Sequence, residues 1–303
     1  IVALTRGHLI VQGQLEVQQQ PRLAIERITR EGRRSSGYAI YDASGTSATT
    51  CTASSASTST CRLKLDQVVK LTAAAASGQP TITVDDAVDI SAAVNNSLTV
   101  GTDAQAETKT VSSVSGSSVT FTTNLSTNHV AGEAVYPVSL CYIYESGTGR
   151  NRLCRAATST CSTATCTDGQ IMAENITSMS LASTQTTLTV AVPEEGASSI
   201  TVASASGFTV GDKIDLVASS GSGETTEKDR IISSCNEDGS GNCTSTTITL
   251  DSSTIASTTH SANTTTVWIR AVRLTMGISR TAEGTEGQLS QTWSFSTRVH
   301  LRK

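Results

Sequence analysis

The sequence is poor in the side chains on which most catalytic sites depend. Aromatic residues make up 3% of the 303 residues, and four residues are histidines. Nucleophile elbows, His-Glu-x-x-His motifs and phosphate loops are absent from the sequence, and its acidic residues show no paired arrangement suited to glycoside chemistry. Because general acid–base and nucleophilic catalysis need such groups, we do not expect an enzyme.

The charge and hydropathy of the sequence limit the kinds of partner that we expect for the protein. The formal net charge is −4, whereas nucleic-acid binding rests on clustered lysine and arginine, so nucleic acid is not expected as the main partner. The sequence also lacks an apolar run of the ~18 residues that a transmembrane helix needs. It opens at Ile1 without a methionine, and we expect contact with a membrane only through a segment upstream of Ile1.

Hydroxyl side chains are abundant instead. Serine and threonine account for 92 of the 303 residues. Valine, isoleucine, leucine and threonine recur in short alternating runs, a pattern typical of half-buried strands. The apolar fraction is 37%, below the ~45–50% of ordinary globular proteins. We therefore expect a β-rich surface protein with several thin cores.

The cysteines predict disulfides and an oxidising compartment. Their spacings lack the close Cys-x2-Cys pairs of a zinc site. Many pairings are possible; the nearest-neighbour set joins 51 with 61, 141 with 154, 161 with 166 and 235 with 243, each closing a short loop. The eight candidates are Cys51, Cys61, Cys141, Cys154, Cys161, Cys166, Cys235 and Cys243.

The two ends of the chain predict an α+β fold. Residues 1 to about 36 have apolar side chains at helical spacing, which predicts a long N-terminal helix that Pro21 kinks or splits. The end of this helix carries a basic cluster, Arg27, Arg30, Arg33 and Arg34. The residues predicted to pack the helix are Leu4, Val11, Leu15, Ile25 and Ile28.

The last 36 residues show a period of two, which predicts an antiparallel hairpin with one apolar face. That face is the expected partner of the apolar stripe of the helix. The expected fold is a long N-terminal helix packed on an antiparallel sheet. The residues assigned to the core of the hairpin are Val272, Leu274, Met276, Trp293, Phe295 and Val299.

An internal repeat lies between these parts. Ile82-Thr83-Val84 matches Ile200-Thr201-Val202, and the segment beginning at His129 matches the one beginning at His260. We interpret the copies as two small all-β insertions, the first module (81–138) and the second module (191–267). The remaining predicted parts are a helix (1–37) and a β-head (38–80, 139–190 and 268–303).

Candidate ligand-binding residues are few. The equivalent positions of His129 and His260 in the two copies favour a structural role for both. Calcium is the one cofactor to consider, because oxygen-rich side chains cluster in Asn236–Asn242 and again at Asp85, Asp86 and Asp89. The first cluster lacks the acidic residues that an EF-hand places at the ends of its loop. We therefore predict no cofactor, with calcium as a weak alternative.

The stretch Leu23–Tyr38, in which an amphipathic helix runs into a basic segment and then Gly37-Tyr38, resembles PilW-type minor pilins and the related J-type minor pseudopilins. Three further segments resemble that family in the same order: the predicted hairpin between Cys141 and Cys154, Glu174–Met179, and the closing strand Trp293–Lys303. The resemblance covers about half of the chain and lacks the membrane-embedded start of a pilin helix.

The resemblance implies a structural minor subunit of a bacterial type IV pilus or type II secretion pseudopilus. Such a subunit waits in the inner membrane, packs its helix among other pilin or pseudopilin subunits, and helps to initiate the filament or form its tip, in contact with a tip adhesin in some cases. The alternative is a surface adhesin or DNA-uptake pilin whose inserted modules bind the ligand. Both place the protein at the cell surface or in an extracellular filament.

Overall fold

The computed structural model describes residues 19–56, 59–102, 105–146, 151–192, 198–218, 227–239, 241–251, 260–284 and 287–300. Within these ranges, one helix (α1) covers residues 19–32, and the strands form two antiparallel sheets. The chain divides into two compact units. The first unit is Ile1–Leu181 with Leu274–Arg302, and the second is Ala182–Arg273.

The first sheet lies within the first unit. Its strands follow the order β2-β1-β4-β9-β6-β7-β8-β5, and β10 and β11 extend it beside β9. The bounds are β1 Ser35–Tyr41, β2 Ser47–Ala48, β4 Thr60–Lys70, β5 Thr81–Thr83, β6 Ser97–Val100, β7 Glu107–Ser115, β8 Ser118–Phe121, β9 Ala134–Glu145, β10 Arg152–Ala157 and β11 Gln170–Glu174.

The second sheet has the order β13-β16-β15-β14-β17-β12-β3, and β18 pairs with β17. The bounds are β3 Thr50–Ser54, β12 Ile176–Thr187, β13 Ser199–Thr201, β14 Lys213–Val217, β15 Glu227–Ser234, β16 Thr247–Leu250, β17 Thr266–Gly284 and β18 Gly287–His300.

The predicted α+β class with a long N-terminal helix is wrong. Strands hold 56% of the described residues and helices 7%, because the alternating, β-branched and hydroxyl-rich sequence after residue 34 favours strands almost throughout. The described part of α1 is short: it ends at Gly32, and β1 begins at Ser35 after a two-residue turn. The Ser35 hydroxyl donates to the Glu31 carbonyl at 2.8 Å, which satisfies one of the last carbonyls of the helix.

The residues predicted to pack the helix differ in how deeply they are buried. Ile28 is fully buried together with Ala24, whereas Ile25 is half-buried and Leu23 is 62% exposed. Leu4, Val11 and Leu15 lie outside the described residues. The helix therefore buries a narrow apolar strip against its own unit, and no helix of the described chain is long and apolar enough to cross a membrane.

The two repeated segments share one strand topology. In the first copy, β5 pairs with β8, β8 with β7, β7 with β6, and β6 with the start of β9. In the second copy, β13, β16, β15, β14 and β17 pair in the same sequence. Even the isolated bridges correspond, since Ala75 pairs with His129 and Val192 with His260.

Each copy has its own apolar core. The first is built from residues between Val69 and Val138, with Phe121 as its aromatic side chain. The second extends from Leu188 to Ala271, and Phe208 is buried in it. Aliphatic side chains form the rest of both cores apart from Cys243 in the second, consistent with the low aromatic content.

The hairpin residues lie on β17 and β18, which are paired. Val272, Leu274 and Met276 are fully buried, and so is Val299 on β18. Trp293 and Phe295 are half-buried.

All eight cysteines form disulfides, but the nearest-neighbour pairing is wrong for four of them. Cys51–Cys61 and Cys235–Cys243 are nearest-neighbour bonds. The other two bonds cross, since Cys141 pairs with Cys161 and Cys154 with Cys166. Strands β9 and β10 place Cys141 and Cys154 on one face of the sheet, and the segment after β10 folds back over that face, so each strand is bonded to the segment rather than to the other strand.

We predict that Gly32→Ala destabilises the protein. A β-carbon at Gly32 would clash with Cγ1 of Val299, whose side chain is fully buried. Overpacking typically costs about 1–3 kcal/mol, which outweighs the gain of about 1 kcal/mol that alanine brings to a helix. Urea unfolding measures the difference. The same substitution in a Val299→Ala background should cost less; an equal cost in both backgrounds would contradict this contact.

Candidate functional site

The second unit contains a cleft of about 530 Å³. This volume lies within the range of about 300–1,000 Å³ that is usual for small-molecule sites. Polar side chains dominate its wall, and the segment Ala203–Gly207 forms its base. The residues around the cleft are Ala203, Ser204, Ala205, Ser206, Gly207, Asp238, Asn242, Cys243, Thr244, Thr246 and Arg273.

One wall of the cleft is the connection from β15 to β16. The Cys235–Cys243 disulfide closes this connection near its base. The amide and hydroxyl of Thr244 both donate to the Asn236 carbonyl, at 2.6 and 3.0 Å. The Cys243 amide donates to the Phe208 carbonyl at 2.8 Å and so fastens the wall to the base of the cleft. These bonds hold the wall in place without an apolar core of its own.

The first module has no such wall. There, β7 and β8 are joined by a tight turn at Gly116 and Ser117. In the second module the corresponding connection extends from Cys235 to Thr246. The two copies therefore share a scaffold, and the longer connection of the second copy forms the cleft.

The base of the cleft is the segment Ala203–Gly207. Gly207 has a φ of +88°, and a β-carbon there would lie 3.2 Å from the Thr184 side chain. Ala205 and Phe208 point into the core and are buried, while Ser204 and Ser206 are exposed toward solvent. A glycine at this turn lets the segment fold tightly, so that its hydroxyls line the cleft.

Two charged residues line the cleft: one is hydrogen-bonded within the loop, and the other is exposed and forms no ion pair with a described residue. Asp238 accepts hydrogen bonds from the amide of Asn242 at 2.9 Å and from its side chain at 3.1 Å, so its carboxylate organises the loop. Arg273 lies on β17 and is exposed. No ion pair joins its guanidinium to any residue that the structure describes. The cleft therefore presents one available cation among hydroxyl and amide groups.

The calcium candidates do not form a metal site. Asp85 accepts the Lys70 amide at 2.8 Å, and Asp86 pairs with Arg34 at 3.3 Å. Asp89 pairs with Arg155 at 2.6 Å. Each carboxylate serves a different internal partner, and within the described ranges no three acidic, histidine or cysteine side chains converge to hold a metal ion.

A buried charge network lies in the first unit. The Glu31 carboxylate, near the end of α1, accepts from Arg155 on β10 at 3.1 Å and from Arg27 at 3.0 Å. The Tyr142 hydroxyl on β9 also donates to it. Arg155 in turn forms two hydrogen bonds with Asp89, at 3.0 and 2.6 Å. The network thus joins the helix, the sheet and the first module.

The surroundings shift the ionisation of this network. Burial, and then the adjacent Glu31 carboxylate, raise the pKa of the Tyr142 hydroxyl, so it stays a donor. Burial alone would lower the pKa of the Arg155 guanidinium, but its hydrogen bonds to Asp89 and the charge of Glu31 raise that pKa above its usual value. Because every member has a partner, the arrangement suits a structural link better than chemistry on a substrate.

A second polar cluster surrounds His129 in the first module. The imidazole is fully buried between Glu107, at 2.9 Å from Nε2, and Glu133, at 2.7 Å from Nδ1. Lys109 pairs with Glu107 at 2.8 Å. In the second module, Glu227 begins β15 as Glu107 begins β7, and the buried His260 occupies the position of His129.

The basic cluster at the helix end does not form one surface. Arg27 pairs with Glu31, and Arg34 with Asp86. Arg30 and Arg33 are exposed. Two of the four arginines therefore serve internal contacts.

Sequence reasoning did not identify the cleft or the buried network: it considered Asn236–Asn242 and Asp89 only as calcium ligands, and it did not single out Arg273, Glu31, Tyr142 or Arg155. Arg273 and the segment Ala203–Gly207 are distant in sequence from the cysteine loop, so no local motif joins them. The unequal length of the two repeats was the one available signal, because an insertion in one copy marks a local specialisation.

No family model matches the chain, and no curated protein matches it. The resemblance to PilW-type minor pilins and J-type pseudopilins is wrong, because the part of the chain that the structure describes is nearly all β-sheet, with one short α-helix.

We predict that Arg155→Met strongly destabilises the first unit. The side chains of Arg155, Glu31 and Asp89 are 11%, 10% and 12% exposed, and removing the guanidinium leaves Asp89 without its counter-charge and Glu31 with Arg27 alone. Such a loss typically costs about 3–5 kcal/mol. The matched control is Arg152→Met on the same strand, whose pair with Glu145 is 28% and 23% exposed and contributes at most about 1 kcal/mol. Equal losses of unfolding free energy in the two variants, measured by urea unfolding, would contradict the assignment of Arg155 to a buried charge network.

We also predict that the unfolding free energy depends on pH through the carboxyl group of Glu107. Burial would raise the pKa of this carboxyl, but hydrogen bonds from Lys109, His129 and two backbone amides together lower it well below its usual value of 4.5. A lowered pKa adds stability above about pH 4.5, and this stability is lost as the pH falls below that value. Glu107→Gln should therefore flatten the decline in unfolding free energy below pH 4.5. Glu26→Gln, an exposed control on α1, should leave the decline unchanged.

Proposed function

We propose that this protein is an extracellular binding protein without catalytic activity, and that the cleft of the second unit holds the ligand. The chain is β-rich and has four disulfides, features typical of proteins in an oxidising, extracellular environment. This proposal corresponds to the adhesin alternative of the sequence analysis, in which an inserted module contacts the ligand.

The observation that supports the proposal is the difference between the two modules. Both have the same strand topology and similar cores, yet the second has a disulfide-closed connection that forms one wall of a cleft of about 530 Å³. The first module has the same topology with a tight turn at the corresponding place, so the longer connection is not needed for this fold. Its polar wall is better explained by binding.

The role of filament subunit stays an untested prediction. Its basis was the packing of a long N-terminal helix among pilin subunits, and the resemblance that suggested it has been overturned. The binding role needs no such helix, because the disulfides, the charge network and the module cores stabilise the protein from within.

The proposal predicts that filling the cleft abolishes binding to a surface. Labelled protein would be applied to arrays of glycans and extracellular-matrix proteins, and saturable binding measured. Ala203 is exposed in the cleft, so Ala203→Trp should block it without removing a buried contact. The matched control is Val88→Trp, which adds the same side chain at a position 87% exposed in the first module.

We expect saturable binding that falls at least about tenfold in the Ala203→Trp variant and is unchanged in the control. The absence of saturable binding on every array, or equal binding by both variants, would overturn the proposed function.

A further inference from the structure

We infer that the cleft of the second unit binds a carboxylated sugar, with Arg273 on the carboxylate and the hydroxyl and amide groups of the wall on the sugar hydroxyls. This inference rests on the proposed binding function and specifies the ligand. This ligand follows from a comparison of the polar groups that already form hydrogen bonds within the protein with the exposed Arg273 guanidinium and the hydroxyl groups of the wall.

The charge of the ligand follows from Arg273 and Asp238. The Asp238 carboxylate is engaged by the amide and side chain of Asn242. The Arg273 guanidinium is exposed and forms no ion pair within the described part of the second unit. A guanidinium recognises a carboxylate through two parallel hydrogen bonds, which are stronger than bonds between neutral groups. The exposed guanidinium therefore offers a partner for an anionic group of the ligand.

The polyhydroxyl character of the ligand follows from the rest of the wall. Ser204, Ser206 and Thr246 bring hydroxyl groups to the cleft, and Asn242 brings an amide. These groups both donate and accept hydrogen bonds, as sugar hydroxyls do.

Two other ligand classes fit the cleft less well. A peptide segment is usually anchored by apolar side chains in apolar pockets, and the wall of this cleft offers only alanines and a disulfide cysteine for such contacts. A simple phosphate or sulfate ion is small for a volume of about 530 Å³ and would leave most of the hydroxyl groups unused. A sugar acid uses both the charge and the volume.

The test is a titration of the full oxidised chain, labelled with ¹⁵N, with glucuronate, glucose and sulfate in parallel. Glucuronate should shift the amide signals of residues 203–207 and 242–246. Its dissociation constant should be at least about tenfold lower than those of glucose and of sulfate, because neither uses the charge and the hydroxyl wall together. Sulfate that binds as tightly as glucuronate would reduce the cleft to an anion site and overturn the inference, and so would glucose that binds equally well.

The matched variants are Arg273→Gln and Arg30→Gln. Both remove one exposed positive charge, but Arg30 lies on α1 in the first unit. We expect the dissociation constant for glucuronate to rise at least about tenfold in the first variant and to stay unchanged in the second. An unchanged constant in Arg273→Gln would overturn the assignment of the carboxylate partner.

The outcome separates the two proposals. If the surface binding that Ala203→Trp abolishes persists while glucuronate fails to bind, the ligand class is wrong and the binding function stands. If Ala203→Trp leaves surface binding intact, the binding function itself fails, whatever glucuronate does.

Discussion

A core built from disulfides and alanine supports the first sheet. Cys141, Cys154, Cys161 and Cys166 are all buried and pack with Ile143 in one cluster, whose remaining buried members are alanines. With aromatic residues at 3% of the chain, few large side chains are available to fill the space between a strand pair and the segment covering it. Two disulfides supply that volume and also restrict the unfolded chain, which stabilises the fold by a few kcal/mol per bond.

The same strands carry the covalent core on one face and the charge network on the other. Along β9, Cys141 and Ile143 face the disulfides, whereas Tyr142 reaches Glu31 on α1. Seven consecutive residues of β9, Val138–Tyr144, are buried, as expected for a strand covered on both faces. The start of β9 also pairs with β6 of the first module. Strand β9 therefore links covalent, ionic and apolar contacts. Because these contacts stabilise the fold, the surface loops can vary without loss of stability.

The sequence predicted the parts of the structure that depend on local pattern. Alternating hydroxyl and β-branched residues indicated strands, the cysteines indicated disulfides, and the repeat located two segments that share a topology. The predicted α+β class was wrong because the strand-forming sequence after residue 34 dominates the described chain; of the two stripe residues that the structure describes, Ile28 is fully buried and Ile25 is half-buried. The crossed disulfides and the cleft depend on chain segments meeting in space, which spacing alone does not encode.

The bonding of both strands to the segment after β10, rather than to each other, can be tested directly by peptide mapping of the oxidised protein after trypsin digestion. Cleavage at lysine and arginine places Cys141 in residues 110–150, Cys154 in residues 153–155, and both Cys161 and Cys166 in residues 156–213. The structure predicts one three-chain product, because the last peptide is bonded to each of the other two. A two-chain product joining Cys141 to Cys154, beside an internally bonded 156–213 peptide, would contradict the account.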